Sequence, residues 1–102
     1  MLLTLLADLP EGEPREVHAG DDSLILVRYG EQVHGYHNIC PHAGRALNWA
    51  PGRFLLNAGE LVCAAHGASF TLSTGACTGG PCRGSSLKAV ALAVRDGEVH
   101  LA

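Results

Sequence analysis

Two short stretches restrict what this chain can fold into more than any other feature. "NICPHAGRAL" at 38–47 and "VCAAHGASF" at 62–70 each set a cysteine and a histidine close together. Cys40-Pro41-His42 reads C-x-H, Cys63-Ala64-Ala65-His66 reads C-x2-H, and twenty residues separate His42 from Cys63. Each pair is compact enough for both side chains to converge on one site. Thiolate sulfur and imidazole nitrogen suit zinc or an iron–sulfur cluster, and four such ligands complete either. A zinc finger of the two-cysteine, two-histidine kind places both cysteines ahead of both histidines, with the latter on a helix, and this chain does neither. Two similar loops, each giving one sulfur and one nitrogen, suit a two-iron cluster whose irons divide the sulfurs and the nitrogens between them.

The rest of the chain predicts an all-β scaffold for these loops. No apolar stripe of helical spacing is long enough to count, whereas "LLTLL", "REVHA", "SLILVRY", "QVHGYHN", "ELVCA", "ASFTL", "LKAVALAV" and "EVHLA" read as strands. Turn-rich pieces such as "PEGEP", "GDDS" and "RDGE" separate them. Asp96-Gly97 supplies the positive φ of a tight hairpin, so the last two strands should pair antiparallel. The stretch from about 38 to 82 holds all four cysteines and is rich in glycine, which marks a loop-built insert on a β base. At 102 residues there is room for one domain and one modest core. Net charge of −3 and the absence of a basic cluster exclude a nucleic-acid binder. The apolar start "MLLTLLADLP" lacks a preceding Lys or Arg, and Asp8 and Pro10 interrupt it too early for a spanning helix or a secretory signal. The expectation is a cytoplasmic protein with no membrane partner, in which four cysteines mean metal or redox chemistry.

The stretch "CPHAGRAL…LVCAAHGASFTLSTG", with the flanks "LADLPEGEPREV", "LILVRYGEQVHGYHNIC" and "LKAVALAVRDGEVHL", resembles the Rieske family, in particular its small standalone ferredoxins. The resemblance covers essentially the whole chain. It implies an antiparallel β sandwich or barrel base with a small cluster-binding subdomain, one [2Fe-2S] cluster per chain, and Cys40, His42, Cys63 and His66 as its ligands. Residues 1–102 would then form one Rieske domain, with the cluster-binding part at about 38–82. The implied function is electron transport: a carrier rather than an enzyme, passing single electrons between a reductase and a terminal oxygenase or other acceptor. The alternatives are a small regulatory or structural subunit of a reductase such as nitrite reductase, and a redox sensor switched by Cys77 and Cys82.

Several neighbours of the ligand pairs carry expectations of their own. Gly44 and Gly67 would let backbone N–H groups turn toward the cluster sulfides. High-potential Rieske proteins carry a serine two positions and a tyrosine four positions after the last histidine, where this chain has Ala68 and Phe70. Without those hydroxyl donors the centre should sit toward the lower end of roughly −150 to +300 mV, and Ser69 should point away from the cluster by alternation. Its potential should fall as pH rises through the range where metal-bound imidazoles lose their outer proton. Trp49, Pro51 and Phe54 are expected to pack the segment "NWAPGRFLLNAGE" down. Pro81 matches a family loop that covers the cluster. Cys77 and Cys82 could be thiols, a short disulfide or rival ligands, with thiols favoured in a reducing cytosol. His18, His34, His37 and His100 read as ordinary strand residues.

Overall fold

The structure, a computed structural model, describes residues 1–41, 44, 46–63, 67–80 and 84–102. Among these, three antiparallel sheets carry the fold, with one 3-10 turn at Leu6–Asp8 and no α-helix. The first sheet runs β1 (Leu2–Leu5), β11 (Glu98–Leu101), β10 (Leu92–Arg95), so the two ends of the chain pair with each other. The second runs β2 (Arg15–Ala19), β3 (Asp22–Tyr29), β4 (Gln32–His37), β9 (Ala89–Val90). The third, β5 (Leu55–Asn57), β6 (Glu60–Val62), β7 (Ser69–Thr71) and β8 (Cys77–Gly79), is the insert.

Strand β3 explains how the three sheets hold together. Its run Leu24-Ile25-Leu26-Val27 is buried on both faces, because β2 and β4 pair with its two edges and each face meets a different core. Side chains alternate along a strand. Leu24 and Leu26 therefore join Leu9 and Val99 on the side of the first sheet, while Ile25 and Val27 join Cys40, Leu47, Leu61, Cys63 and Phe70 on the side of the insert. The same division continues on β4. A Cβ on Gly35 would lie 2.8 Å from Leu92 and 3.0 Å from Leu26, whereas the next residue, Tyr36, reaches the other core and donates its hydroxyl to the Leu72 carbonyl at 2.8 Å.

Most strands expected from alternation are present, and the differences have physical reasons. The stretch "LKAVALAV" is two strands rather than one. Ala89 and Val90 pair with β4 in the second sheet, and Leu92 onward pairs with β11 in the first, so the chain turns a corner at Ala91. Strands β5 and β8 escape a reading by alternation because β5 is exposed at every residue and β8 follows a turn. The turn at Asp96-Gly97 has the expected positive φ at both residues, 51° and 74°, between Arg95 and Glu98.

Ala58-Gly59 makes the same kind of two-residue turn between Asn57 and Glu60, but here alanine must adopt φ 53°. A left-handed conformation strains alanine and is better tolerated by asparagine. Ala58→Asn is expected to stabilise the protein by about 0.5 kcal/mol, raising the melting temperature by about 3 °C. Thermal denaturation checks this, and an unchanged or lower midpoint would contradict it.

Candidate metal centre

Both cysteines of the sequence pairs sit at the start of a short loop of matching design. In the first loop the Gly44 N–H donates to the Cys40 carbonyl at 2.8 Å, and in the second the Gly67 N–H donates to the Cys63 carbonyl at 2.9 Å. The glycine lies four residues after the cysteine each time, with φ of 65° and 72°. Each loop is thus an i-to-i+4 turn closed by a left-handed residue. The positive φ at both glycines agrees with the sequence reading. The N–H groups of the two glycines themselves are engaged within the loops, and residues 42, 43, 45 and 64–66, whose N–H groups bear on the rest of that reading, lie outside the described residues.

Cys40 and Cys63 are both 0% exposed and belong to one buried cluster with Leu47, Leu61, Ala68, Phe70 and Leu72. Neither is in a disulfide. The fold thereby brings two sulfurs from loops more than twenty residues apart in sequence to one apolar region. That donor set fits the thiolate half of a mixed-ligand iron–sulfur centre. His42 and His66 lie outside the described residues. His18, His34, His37 and His100 fall in β2, β4 and β11, as expected, and His100 contacts Glu98 at 3.0 Å.

The surroundings of the second loop follow the sequence reading in burial. Ala68 and Phe70 are fully buried and Ser69, on the other face of β7, is only half-buried. Gly80 abuts this loop: at φ 85°, a Cβ there would come within 2.9 Å of the Ala68 Cα. Pro81, Cys82 and Arg45 lie outside the described residues. Cys77 is disulfide-bonded, which corrects the expectation of a thiol and removes it as a rival ligand. The segment from Gly75 to Leu87 doubles back, with Leu87 N–H on the Gly75 carbonyl and Cys77 N–H on the Ser85 carbonyl.

The segment between the loops is fastened differently from expectation. Trp49 is 61% exposed and Pro51 is exposed; only Phe54 packs against the core. Polar groups hold the segment instead. The Glu16 carboxylate accepts from the Ser23 hydroxyl at 2.6 Å and from the Gly52 N–H at 2.9 Å. Nothing in sequence spacing signals this link, since it joins β2 to a turn 36 residues away. Beside Cys40, an open groove of ≈ 360 Å³ is lined by His37, Ile39, Pro41, Ser86 and Lys88.

Two titratable groups report on how the insert is held. The Ser23 hydroxyl, followed by the Gly52 N–H and nearby His18, holds Glu16 below its ordinary value of 4.5, against the opposing effect of burial. Because the folded pKa is lowered, its stabilising contribution is present above 4.5 and is lost as pH falls through the lowered value. Glu16→Gln should cost about 1 kcal/mol at neutral pH. The difference from the parent protein should close on acidification below pH 4.5, as urea denaturation across the acid range would show. Burial pushes Tyr36 up to about 12, in keeping with a hydroxyl committed as donor to Leu72.

Comparison with known proteins places these loops in a family. Residues 1–95 match the Rieske [2Fe-2S] domain. Apoptosis-inducing factor 3 of Mus musculus is 37% identical over 68 residues, which are 67% of this chain but 11% of that protein. The ferredoxin component of the alkene monooxygenase system of Xanthobacter autotrophicus (strain ATCC BAA-1158 / Py2) is 32% identical over 68 residues, covering 67% of this chain and 53% of that one. The chain therefore spans only part of the curated relatives it matches. Among solved structures, the ferredoxin of carbazole 1,9a-dioxygenase from Nocardioides aromaticivorans IC177 superposes with a TM-score of 0.74 at 29% identity, over 97% of this chain and 92% of that chain. Matching cysteine loops, an all-β scaffold and a family match over nearly the whole length agree: this chain belongs to the Rieske [2Fe-2S] domain family.

Proposed function

We propose that the chain is a one-electron carrier of the ferredoxin kind, in which Cys40, His42, Cys63 and His66 hold one [2Fe-2S] cluster. Residues 1–102 act in it as one domain, with the cluster-binding part at about 38–82. The observation that carries this reading is the pair of equivalent turns that deliver Cys40 and Cys63, both fully buried, into one apolar cluster. When bound, the cluster supplies reversible one-electron chemistry, and the protein sets its potential and exposure. Ala68 and Phe70 share the buried apolar cluster of Cys40 and Cys63, and neither carries a hydroxyl that could donate to a sulfur of a bound cluster. That supports a potential in the lower part of roughly −150 to +300 mV.

The partners are a reductase as donor and a terminal oxygenase or other redox enzyme as acceptor. The similarity to ferredoxins of two oxygenase systems supports this choice. A cytoplasmic location belongs to the same reading; no helix among the described residues is long and apolar enough to cross a membrane. The test is an electron paramagnetic resonance spectrum of anaerobically purified, dithionite-reduced protein, with iron, sulfide and zinc assayed on the same sample. The signal of a mixed-ligand two-iron cluster, with equal iron and sulfide, is the expected result. A colourless, silent protein containing zinc would overturn electron transfer.

A further inference from the structure

The two ligand loops share a turn but differ in how their bases are closed. Among the described residues the second is closed by main chain: Cys63 N–H donates to the Ala68 carbonyl at 2.7 Å, and the hairpin of β6 and β7 continues from there. The first departs from β4 and, among the described residues, has no partner strand at its far end. Its closing bond comes from a side chain, Asn38, two residues before Cys40. Asn38 Oδ1 accepts the Leu47 N–H at 2.8 Å, bridging the loop at its neck.

Asn38 is 3% exposed, and its side-chain oxygen, its side-chain NH2 and its main-chain N–H are all engaged. Its Nδ2 donates to Asn48 Oδ1 at 2.8 Å and to Ser23 Oγ at 3.1 Å, and its own N–H donates to the Ser23 carbonyl at 3.0 Å. The orientation of the amide is fixed, since the Leu47 N–H can meet only an acceptor. Asn48 Nδ2 passes the link on to the Ala50 carbonyl at 3.0 Å. Ser23 Oγ passes it to Glu16, whose second oxygen takes the Gly52 N–H. The first loop and the segment after it are therefore tied to β2 and β3 by one continuous chain of hydrogen bonds, with Asn38 at its centre.

We infer that Asn38 is the positioning residue of the first ligand loop, fixing Cys40 relative to the base as the β6–β7 hairpin fixes Cys63. The inference rests on Cys40 being a cluster ligand. Removing the clamp leaves a buried Leu47 N–H without a partner and frees the loop to move as a unit, while the main-chain closure of the second loop is untouched.

Amide hydrogen exchange on the full chain, before and after reconstitution with iron and sulfide, reads the clamp directly. In Asn38→Leu, of similar volume but with no polar atoms, the Leu47 amide should exchange at least about tenfold faster, while Leu26 and Cys63 keep their parent rates. Asn38→Asp, which retains the acceptor, should restore most of the protection at Leu47. In the reconstituted protein, Asn38→Leu should also shift the g values and release iron to a chelator at least about tenfold faster. Unchanged exchange at Leu47, or equal acceleration at Leu26, would overturn the inference. So would unaltered g values and iron release in a variant whose Leu47 amide is deprotected. If Asn38→Leu does not fold, Asn48→Ala removes one partner of the Asn38 Nδ2 together with the Asn48–Ala50 bond, and it must speed exchange at Leu47 more than at Leu26 for the clamp to stand. Failure of the underlying ligand assignment is separable: Cys40→Ser that still binds a normal cluster would refute the assignment while leaving the clamp's exchange pattern in place.

Discussion

Cys63→Ser should yield a colourless protein whose iron content falls to background after reconstitution, while Cys77→Ser, treated alike, keeps its cluster. The contrast follows from environment. Cys63 is fully buried, outside any disulfide, and placed at the head of a tight turn, whereas Cys77 is already bonded through sulfur. Serine is nearly the same size but offers a harder, far less acidic oxygen that serves iron–sulfur clusters poorly. Sulfide and iron assays with visible absorption read the result, and full iron incorporation by Cys63→Ser would remove this residue from the ligand set. The unloaded variant should stay folded, since the change removes little volume from the core and the buried hydroxyl costs about 1–3 kcal/mol.

Phe70→Ala carries the largest stability effect expected anywhere in the chain. Its ring is 0% exposed in the cluster that also contains Cys40, Cys63, Ile25 and Val27, so truncation opens a cavity between the base and both cysteine loops. Such truncations cost about 3–5 kcal/mol, a large part of the roughly 5–15 kcal/mol that holds a domain together. Urea denaturation should show the midpoint falling with little change in slope. A loss below about 1 kcal/mol would mean that this core is not continuous beneath the two cysteines.

Features carried by local chemistry were readable in the sequence. The matching turns after Cys40 and Cys63 are legible because a glycine four residues on is a local signal, and β2 and β3 show themselves because one or both faces are apolar. The positive φ at Asp96-Gly97 likewise depends only on neighbouring residues. What escaped depends on tertiary partners. Nothing local tells that the strand after Leu87 changes sheets at Ala91, because each half is apolar and merely meets a different neighbour. Trp49 was expected inside because aromatic side chains usually are, yet the turn that carries it is held by Glu16 and leaves the ring in solvent. Asn38, Ser23 and Glu16 are unremarkable letters until folding brings them into line. The exposed strand β5 has no pattern to read.

The pairing of β4 with β9 fixes where the long central excursion leaves the base and where it rejoins it. Gly35 lies opposite Val90 and Tyr36 opposite Ala89, so everything between them leaves the base and returns to the same place. Closing so long an excursion costs entropy that grows only slowly with its length. The stretch that carries Cys40 and Cys63 is therefore a tethered segment whose two ends the base holds adjacent, and its apolar side shares one core with Ile25 and Val27 of that base.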